Sequence, residues 1–244
     1  MIAEIASHTL EAALAAQSGG AHRVELFSSP LGGGVTPSEG AIAIARDKLS
    51  IDLHVLIRPR MGDFLYSNEE FEVMLRDVSA ARRLAANGVV FGLVNQDGSI
   101  DVERTRELAA ASRPMSVMLH RAFDACKDLS RALDDAIACG VDRVLTSGGE
   151  RTAMDGLSTI ADLVRRAGDQ IVVMAGGGIK ADNVRVIVEQ TGVREVHAGL
   201  RSTMPSQMRF QNQKLSFGSQ GSEYENIVVR EQDVRALVEQ VAGL

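Results

Sequence analysis

The sequence predicts an α/β fold, a single (β/α)₈ barrel of the TIM type over residues 1–244. Two observations carry this prediction. Short apolar runs alternate with helix-like stretches along the whole chain, and glycines recur at the junctions between them. The junctions that begin at Gly20, Gly88, Gly140 and Gly192 each place a valine or glycine four residues later. The last three lie 52 residues apart (88 to 140 and 140 to 192), about two strand-plus-helix units.

The eight predicted strands are short runs rich in valine, isoleucine and leucine. Parallel strands of a barrel are buried on both faces, which explains why these runs do not alternate strictly between apolar and polar residues. Their starts follow the junction glycines, because glycine readily adopts the left-handed turn that closes a helix. We place them at residues 2–6, 23–27, 51–57, 89–94, 115–119, 143–146, 171–174 and 195–198.

The eight predicted helices fill the intervals between the strands. Ser7 or Thr9 can cap the first helix, and Pro37 suits the first turn of the second, where no backbone donor is needed. The helix after strand seven opens at Lys180 to Asn183. We place the helices at residues 9–17, 37–46, 68–86, 102–111, 129–138, 153–166, 181–190 and 231–241.

A doubly wound open sheet is the competing fold. It requires a glycine-rich turn after strand one, which His8-Thr9-Leu10 does not provide. One segment departs from the even spacing: residues 201–230 are rich in Gln, Ser, Gly and Asn and are too long for an ordinary connection. We interpret this segment as an extended loop of the same domain, lying over the barrel mouth or in a subunit contact.

The composition excludes several classes of partner. The net charge of −6 predicts no nucleic-acid partner and no anionic membrane surface. No apolar run reaches 18 residues, and no basic region followed by an apolar run begins the chain, so we expect neither a membrane span nor a signal peptide. Two cysteines are too few for a disulfide framework. We therefore expect a cytoplasmic protein.

Candidate catalytic residues lie near the carboxyl ends of the predicted strands, which form the mouth of such a barrel. Five residues after the junction glycines come Glu25, Leu93, Leu145 and His197, which we expect to form one inward-facing layer. Glu25 and His197 flank strand one, which carries Glu4. Ionisable groups that converge inside a barrel are costly to bury without a role or a partner, so we take all three as candidates for acid–base catalysis.

Two further strands end in histidines. His54 on strand three is either a catalytic group or a hydrogen-bonded core histidine, and the sequence does not decide between these. Strand five ends in His120-Arg121-Ala-Phe-Asp124. A carboxylate beside a histidine can set its tautomer and tune it as a general base. We therefore take His120 and Asp124 as a candidate catalytic pair.

The loop after strand three and the loops after strands six and seven could bind an anion. Arg58 and Arg60 can form bidentate hydrogen bonds to a carboxylate or a phosphate, with Asp63 in the same loop, and we count Arg58 among the catalytic candidates. An Arg58–Asp63 salt bridge that shapes the loop is an equal alternative. Glycine-rich turns at the start of a helix expose backbone donors to anions. The candidate anion-binding residues are Arg60, Asp63, Arg121, Ser147, Gly148, Gly176, Gly177 and Gly178.

Two kinds of chemistry are not indicated. No lysine ends a predicted strand, which argues against a Schiff-base aldolase. No Cys-x-x-Cys or His-x-x-x-His spacing occurs, so the residues name no metal ligands and no cofactor.

The motifs resemble those of the CutC family, whose members are known as copper homeostasis proteins. The resemblance covers effectively the whole chain. Its most specific parts are Ile57-Arg-Pro-Arg60 with Gly62-Asp-Phe64, and His120-Arg-Ala-Phe-Asp124. The other matching stretches are Arg23–Leu26, Gly33–Ser38, Tyr66-Ser67, Leu145–Gly148, Met174–Gly176, Glu195–His197, Met208-Arg209 and Asn212-Gln213.

The resemblance implies a TIM-type barrel, a cytoplasmic location, a homo-oligomer and a role in copper homeostasis. Copper is thus implied by the family alone. Where similar members carry cysteines after strands one and two, this chain has Ala6-Ser7 and Phe27, which leaves Cys126 near the predicted mouth.

Three hypotheses stay open on the sequence. The first is a copper-homeostasis protein, with the ion held by Cys126 and His120 or at a surface site. The second is an enzyme, a proton-transfer lyase or isomerase, that acts on a small phosphorylated or otherwise anionic metabolite at the barrel mouth. The third is an inert barrel whose late loop binds a partner.

Overall fold

The computed structural model describes residues 1–212, 214 and 223–243. Within these residues, eight parallel strands close into a barrel in which each strand pairs with the next and the last pairs with the first. The predicted (β/α)₈ fold is confirmed. The strands are β1 (Ile2–Ser7), β2 (Arg23–Leu26), β3 (Asp52–Leu56), β4 (Gly88–Phe91), β5 (Ser116–Leu119), β6 (Arg143–Thr146), β7 (Val172–Gly176) and β8 (Glu195–Ala198).

The described helices form the outer layer. The Thr9 hydroxyl caps the first helix by accepting a hydrogen bond from the Ala12 amide at 3.1 Å. Among the described residues, no helix is both long and apolar enough to cross a membrane. The helices are α1 (Leu10–Ser18), α2 (Glu39–Lys48), α3 (Asn68–Arg83), α4 (Val102–Ser112), α5 (Leu129–Ala138), α6 (Leu157–Ala167), α7 (Val184–Thr191) and α8 (Glu231–Val241).

The barrel interior is polar on one side and apolar on the other. Alternate strands of a (β/α)₈ barrel supply the side chains of one interior layer. The first residues of β2, β4, β6 and β8 are Arg23, Gly88, Arg143 and Glu195. The third residues of the same strands are Glu25, Val90, Leu145 and His197. Since β2 and β8 flank β1, four of the ionisable members lie together around β1, and Arg143 on β6 reaches them through Glu195.

The inward-facing layer predicted from the junction spacing is wrong at one position. Val90, and not Leu93, is the third residue of β4, and Val90 packs with Leu145 inside the barrel. The error arises because Gly88 lies inside β4 and does not close α3. Ala85 instead takes the left-handed conformation, with φ of 58°. Gly20, Gly140 and Gly192 do have positive φ, as the junction pattern predicts.

The described ends of the segment 201–230 are paired strands. β9 (Arg201–Pro205) and β10 (Glu225–Val229) run antiparallel, with Arg201 opposite Val229. The hairpin is fastened to the barrel by a 3.0 Å contact between His8 Nε2 and the Ile227 carbonyl oxygen. Gln213, which belongs to one of the family-like stretches, lies outside the described residues, as do residues 215–222 and 244.

Candidate functional site

His197 lies between two carboxylates inside the barrel. Its Nδ1 is 2.7 Å from Glu4 Oε1, and its Nε2 is 3.6 Å from Glu25 Oε2. Strand register explains this arrangement, because Glu4 on β1 pairs with His197 on β8, and Ala6, two residues further along β1, pairs with Glu25 on β2. The structure therefore brings together three of the residues that the sequence singles out.

Glu4 also holds an arginine that the sequence analysis missed. Arg23 Nε donates to Glu4 Oε2 and Arg23 Nη2 donates to Glu195 Oε2, both at 2.5 Å. Arg143 Nε donates to Glu195 at 3.1 Å, and Arg143 Nη1 donates to the Ser116 hydroxyl. The junction spacing could have found these residues, because Arg23, Arg143 and Glu195 each follow a junction glycine by three positions.

The protonation states of these groups differ because their surroundings differ. Burial alone would raise the pKa of Glu4, but the Arg23 charge and the His197 hydrogen bond hold that pKa well below its usual range. Burial raises the pKa of Glu25 to about 7, with the charges of His197 and Arg23 offsetting this only in part. Burial lowers the pKa of His197, yet the Glu4 hydrogen bond and the Glu25 charge outweigh it and raise that pKa overall.

His54 lies in the same interior but makes weaker contacts. Its buried Nδ1 is 3.6 Å from Glu4 Oε2 and has no hydrogen-bond partner among the described residues. Burial lowers the pKa of His54 to about 4, so its ring is neutral at neutral pH. These contacts support a packing role beside Glu4 more than a role in proton transfer.

His120 and Asp124 do not form the pair that the sequence suggested. The Ala122 amide donates to His120 Nδ1 at 3.1 Å, so the proton of the neutral ring is on Nε2. That Nε2 is buried without a described partner. Burial and the Arg58 charge lower the pKa of His120 to about 3. His120 is thus a neutral hydrogen-bond donor whose tautomer is set by the backbone.

Asp124 instead organises the loop after β6. It accepts hydrogen bonds from the Thr146 hydroxyl, from the Ser147 amide and from the Gly149 amide. Arg121 donates to Asp124 at 2.7 Å and to the Ser147 hydroxyl at 2.5 Å. The Gly148 amide donates to the Thr146 hydroxyl within the same turn. Arg121 and Ser147 therefore join two mouth loops to each other, while the Gly148 amide stabilises the turn after β6.

The two arginines after β3 make hydrogen bonds that hold the mouth loops in place. Arg58 donates to the backbone carbonyl oxygens of Gly32, Gly34 and Gly62 at 2.6 to 3.0 Å. Arg60 donates to Glu70, to the Asp63 carboxylate and to three backbone carbonyls. Asp63 thus pairs with Arg60. The Arg58–Asp63 salt bridge that the sequence analysis offered as an alternative is not formed.

The three glycines at and after the end of β7 have different surroundings. Gly176 pairs with His197 across β7 and β8, and a Cβ atom there would lie 2.4 Å from Leu145 Cδ1. The Gly177 carbonyl oxygen accepts a hydrogen bond from the Ala153 amide. Gly178 borders a cavity of about 530 Å³ together with Lys180, Gly199 and Arg201.

Arg201 is a second residue that the sequence analysis missed. Its Nη1 donates to the Pro30 carbonyl oxygen at 2.7 Å, and its Cζ lies 5.8 Å from the centre of the Phe27 ring. Burial lowers the pKa of Arg201, and the Glu25 charge offsets this in part. No carboxylate within hydrogen-bonding distance pairs with Arg201 among the described residues, so its charge is available at the mouth.

The donor atoms of Glu4, Glu25 and His197 lie within 4.8 Å of one another, a spacing that a metal ion could bridge. However, both oxygens of Glu4 already contact other groups, Arg23 Nε and His197 Nδ1. Two donors, on Glu25 and on His197 Nε2, are left. The arrangement is therefore better suited to proton transfer between Glu25 and His197 than to holding a metal ion.

A family model, curated relatives and a solved structure point to the same family. The CutC family model matches residues 1–202. A CutC protein of Mesorhizobium japonicum is 46% identical over 215 residues, which cover 88% of this chain and 83% of that protein. One of Bacteroides fragilis is 44% identical over 243 residues, covering 98% and 97%. A solved structure from Streptococcus agalactiae, described as a candidate copper homeostasis protein CutC, superposes with a TM-score of 0.77 at 31% identity, covering 81% of this chain and 97% of that one.

Proposed function

The chain belongs to the CutC family, and we propose that it is an enzyme that transfers a proton on a small anionic substrate at the barrel mouth. The reaction class is that of a lyase or an isomerase. The Glu25–His197 pair is the observation that carries this proposal. A carboxyl whose pKa is raised to about 7 lies beside an imidazole whose pKa is also raised, and such a pair is suited to general acid–base catalysis.

The charges inside the barrel support this assignment. Glu4 and Glu195 carry two negative charges that balance the guanidinium groups of Arg23 and Arg143. One proton shared between Glu25 and His197 then leaves the interior neutral, whichever of the two holds it. A divalent cation in its place would leave an excess positive charge in a buried site, which is unfavourable.

The proposed roles follow from these contacts. Glu25 as a carboxylate removes the substrate proton, and His197 as an imidazolium supplies one. His120 contributes its neutral Nε2–H as a hydrogen-bond donor to substrate. Arg201, Lys180 and the Gly178 and Gly199 backbone around the 530 Å³ cavity hold the anionic group. Mouth loops of (β/α)₈ barrels after strands seven and eight commonly bind phosphate, which makes a phosphorylated metabolite the favoured substrate.

Deuterium uptake tests the proposal before the substrate is known. The protein is incubated in D₂O with a pool of phosphorylated and carboxylated metabolites, and mass spectrometry detects the species that gains deuterium. We expect uptake with the wild type and its loss in Glu25→Gln and His197→Asn. Glu72→Gln, which alters an exposed carboxylate on α3, is the matched control. Unchanged uptake in Glu25→Gln would show that this assignment is wrong.

A role in copper homeostasis is a second candidate, favoured by the description of the Streptococcus agalactiae relative. The residues do not fit a copper(I) site at the mouth, since copper(I) prefers thiolate or thioether ligands. Cys126 Sγ is buried against the Ala122 carbonyl oxygen at 3.7 Å. Burial raises the pKa of the Cys126 thiol to about 11, which disfavours the thiolate. Such a role would therefore be exerted through the chemistry of the barrel.

A copper-tolerance assay distinguishes a role that depends on the barrel chemistry from one that depends on ion binding at Cys126. A strain that lacks the protein is complemented with wild type, Glu25→Gln or Cys126→Ser, and its growth is measured over a series of copper concentrations. If the barrel chemistry matters, Cys126→Ser restores tolerance and Glu25→Gln does not. The opposite pattern would assign the role to ion binding at Cys126.

We also propose that the protein acts in the cytoplasm and forms homo-oligomers. Several large apolar side chains near the β9–β10 hairpin and the mouth loops are exposed and would be covered in an oligomer, namely Leu31, Met61, Met204, Met208 and Phe210. Cell fractionation and light scattering of the purified protein check the two statements.

A further inference from the structure

Arg23 is a buried arginine at the centre of the polar half of the barrel. It is 3% exposed, and its two carboxylate partners, Glu4 and Glu195, are 0% and 7% exposed. Its Nε and Nη2 reach one carboxylate each at 2.5 Å, and Nη2 also lies 3.4 Å from Met174 Sδ. The rigid guanidinium fork therefore fixes the positions of both carboxylates.

The two carboxylates differ in their need for Arg23. Glu195 already has a second cation, because Arg143 approaches its two oxygens at 3.1 and 3.3 Å. Among the described residues, Glu4 has Arg23 as its one arginine partner, and its other contacts are with the rings of His197 and His54. Loss of Arg23 would thus leave Glu4, and not Glu195, as a buried carboxylate without a permanent positive charge.

The ionisation of Glu4 decides which nitrogen of His197 carries the proton. An ionised carboxylate has no proton to donate, so at 2.7 Å it accepts the proton of His197 Nδ1. The neutral ring then has a bare Nε2, and this atom faces the Glu25 carboxyl at 3.6 Å. If Glu4 were protonated, it could donate to Nδ1 instead, and Nε2 would carry the ring proton towards Glu25.

We propose that Arg23 is a positioning residue for the acid–base pair: by keeping Glu4 ionised, it holds His197 as the Nδ1–H tautomer with Nε2 turned to Glu25. The inference rests on the proposed function only in the identity of that pair. Arg23 itself does not contact the mouth, and it acts through Glu4. A purely structural role would need no charge here, since Val90 and Leu145 fill the opposite side of the interior with apolar side chains.

Histidine NMR tests this inference without a substrate. The protein is labelled with ¹⁵N-histidine, the His197 signals are assigned with His197→Asn, and the ¹⁵N shifts at alkaline pH identify the tautomer. We expect the Nδ1–H form in the wild type, its loss in Arg23→Gln, and its recovery in Arg23→Lys, which restores a positive charge next to Glu4. A wild-type ring in the Nε2–H form would overturn the proposal and needs no variant.

Arg143→Gln is the matched control, since it removes a second arginine from Glu195 but leaves the contact between Arg23 and Glu4. It should keep the Nδ1–H form even where it lowers stability. An equal loss of that form in Arg143→Gln and Arg23→Gln would reduce Arg23 to a structural role and so overturn the inference. If Arg23→Gln does not fold, Arg23→Met combined with Glu195→Gln removes one charge of each sign. Retention of the Nδ1–H form in that double variant would also contradict the proposal.

The outcome is separable from that of the proposed function. Deuterium uptake could fail while the His197 tautomer still responds to Arg23, in which case the pair is positioned but its reaction is assigned wrongly. If deuterium uptake depends on Glu25 but the His197 tautomer does not change in Arg23→Gln, the proposed enzymatic function stands and the positioning role of Arg23 is wrong.

Discussion

Glu25 is a buried carboxyl that links the stability of the fold to pH. Burial raises its pKa from 4.5 to about 7, and the pKa of His197 beside it is raised as well. Groups whose pKa is raised on folding stabilise the native state while protonated, and this contribution is lost as the pH rises through the native pKa. Glu25→Gln removes that loss. At about pH 8 we expect the variant to exceed the wild type in free energy of unfolding by up to about 3 kcal/mol.

Urea unfolding at about pH 5 and about pH 8 measures this difference. The advantage of Glu25→Gln should be small at the lower pH, where Glu25 is largely protonated in the native state. Glu72→Gln should follow the wild type at both values, because Glu72 is an exposed partner of Arg76 on α3. Parallel pH dependence in Glu25→Gln and the wild type would contradict the raised pKa.

The buried histidines have the opposite linkage. Burial lowers the pKa of His54 to about 4 and that of His120 to about 3, from 6.5 in both cases. As the pH falls below 6.5 the unfolded chain takes up protons that the native state excludes, so stability decreases by up to about 1.4 kcal/mol per pH unit for each histidine. We expect His120→Gln to flatten this decrease between about pH 6 and pH 4. An unchanged slope in urea unfolding would show that His120 is protonated in the native state.

The sequence predicts the positions of side chains on regular strands better than the contacts that loop residues make. Glu25 and His197 could be placed together because strand period and junction spacing fix them to one layer. The partners of Asp124 could not be predicted, since several of them lie in the loop after β6, whose course is not a periodic feature. The same holds for Arg60, whose contacts depend on how its own loop folds back.

At the scale of elements, β4 shows how one strand adapts to its neighbour. Gly88 pairs with His54 on β3, and a Cβ atom at position 88 would lie 2.5 Å from both Cδ2 and Nε2 of the His54 ring. Gly88→Ala therefore overpacks the interior, and we expect a loss of about 1–3 kcal/mol in unfolding free energy together with a shift of the His54 ring signals in NMR spectra.

Gly140→Ala is the comparison for this prediction. A Cβ atom at position 140 meets no atom within 4 Å, although the φ of 75° makes alanine unfavourable there by about 1 kcal/mol. Both variants should lower the unfolding midpoint, but the His54 signals should move in Gly88→Ala alone. Unmoved His54 signals in Gly88→Ala would mean that the ring has free space beside β4.

The β9–β10 hairpin brings Arg201 to the mouth, which leads to a prediction about ligand binding. Because Arg201 pairs with no described carboxylate, it can donate charge-assisted hydrogen bonds to an anion. We expect Arg201→Gln to weaken the binding of inorganic phosphate by about tenfold in calorimetric titration. Arg209→Gln, an exposed arginine of the same segment, should bind phosphate as the wild type does. Equal affinities in all three proteins would remove Arg201 from the anion site.

The hairpin itself could not be predicted from its composition. Its strands are short and largely exposed, and they pair across the intervening residues 206–224. What fixes them is contact with the barrel, through His8 and Ile227 and through Arg201 and Pro30. Such long-range contacts leave no periodic signal in a polar sequence, so length and polarity indicated a loop.

At the scale of the whole molecule, the barrel combines a predictable shell with an unusual interior. The alternation of strands and helices follows from hydrophobic periodicity and from glycine at helix ends, and both features can be recognised in the sequence. The network of four charged residues across β1, β2, β6 and β8 does not follow from the fold, since apolar side chains would close a barrel equally well. A charged interior that the fold does not require is best explained by the site that it supports.

This explanation predicts a conflict between stability and function. Removing one member of a buried ionic network leaves its partner as an unpaired buried charge and lowers the free energy of unfolding by about 3–5 kcal/mol. Replacing all members by apolar residues is often neutral or stabilising by about 1–4 kcal/mol. We therefore expect Arg23→Gln to unfold at lower urea than the wild type. The quadruple variant Glu4→Leu, Arg23→Met, Arg143→Met and Glu195→Leu should unfold at equal or higher urea. The same quadruple variant should lose the Nδ1–H form of His197 and the deuterium uptake, because the Glu4 carboxylate that accepts the Nδ1 proton is then gone. A quadruple variant less stable than Arg23→Gln would mean that the charges hold the barrel together, and the functional explanation of the network would then fail.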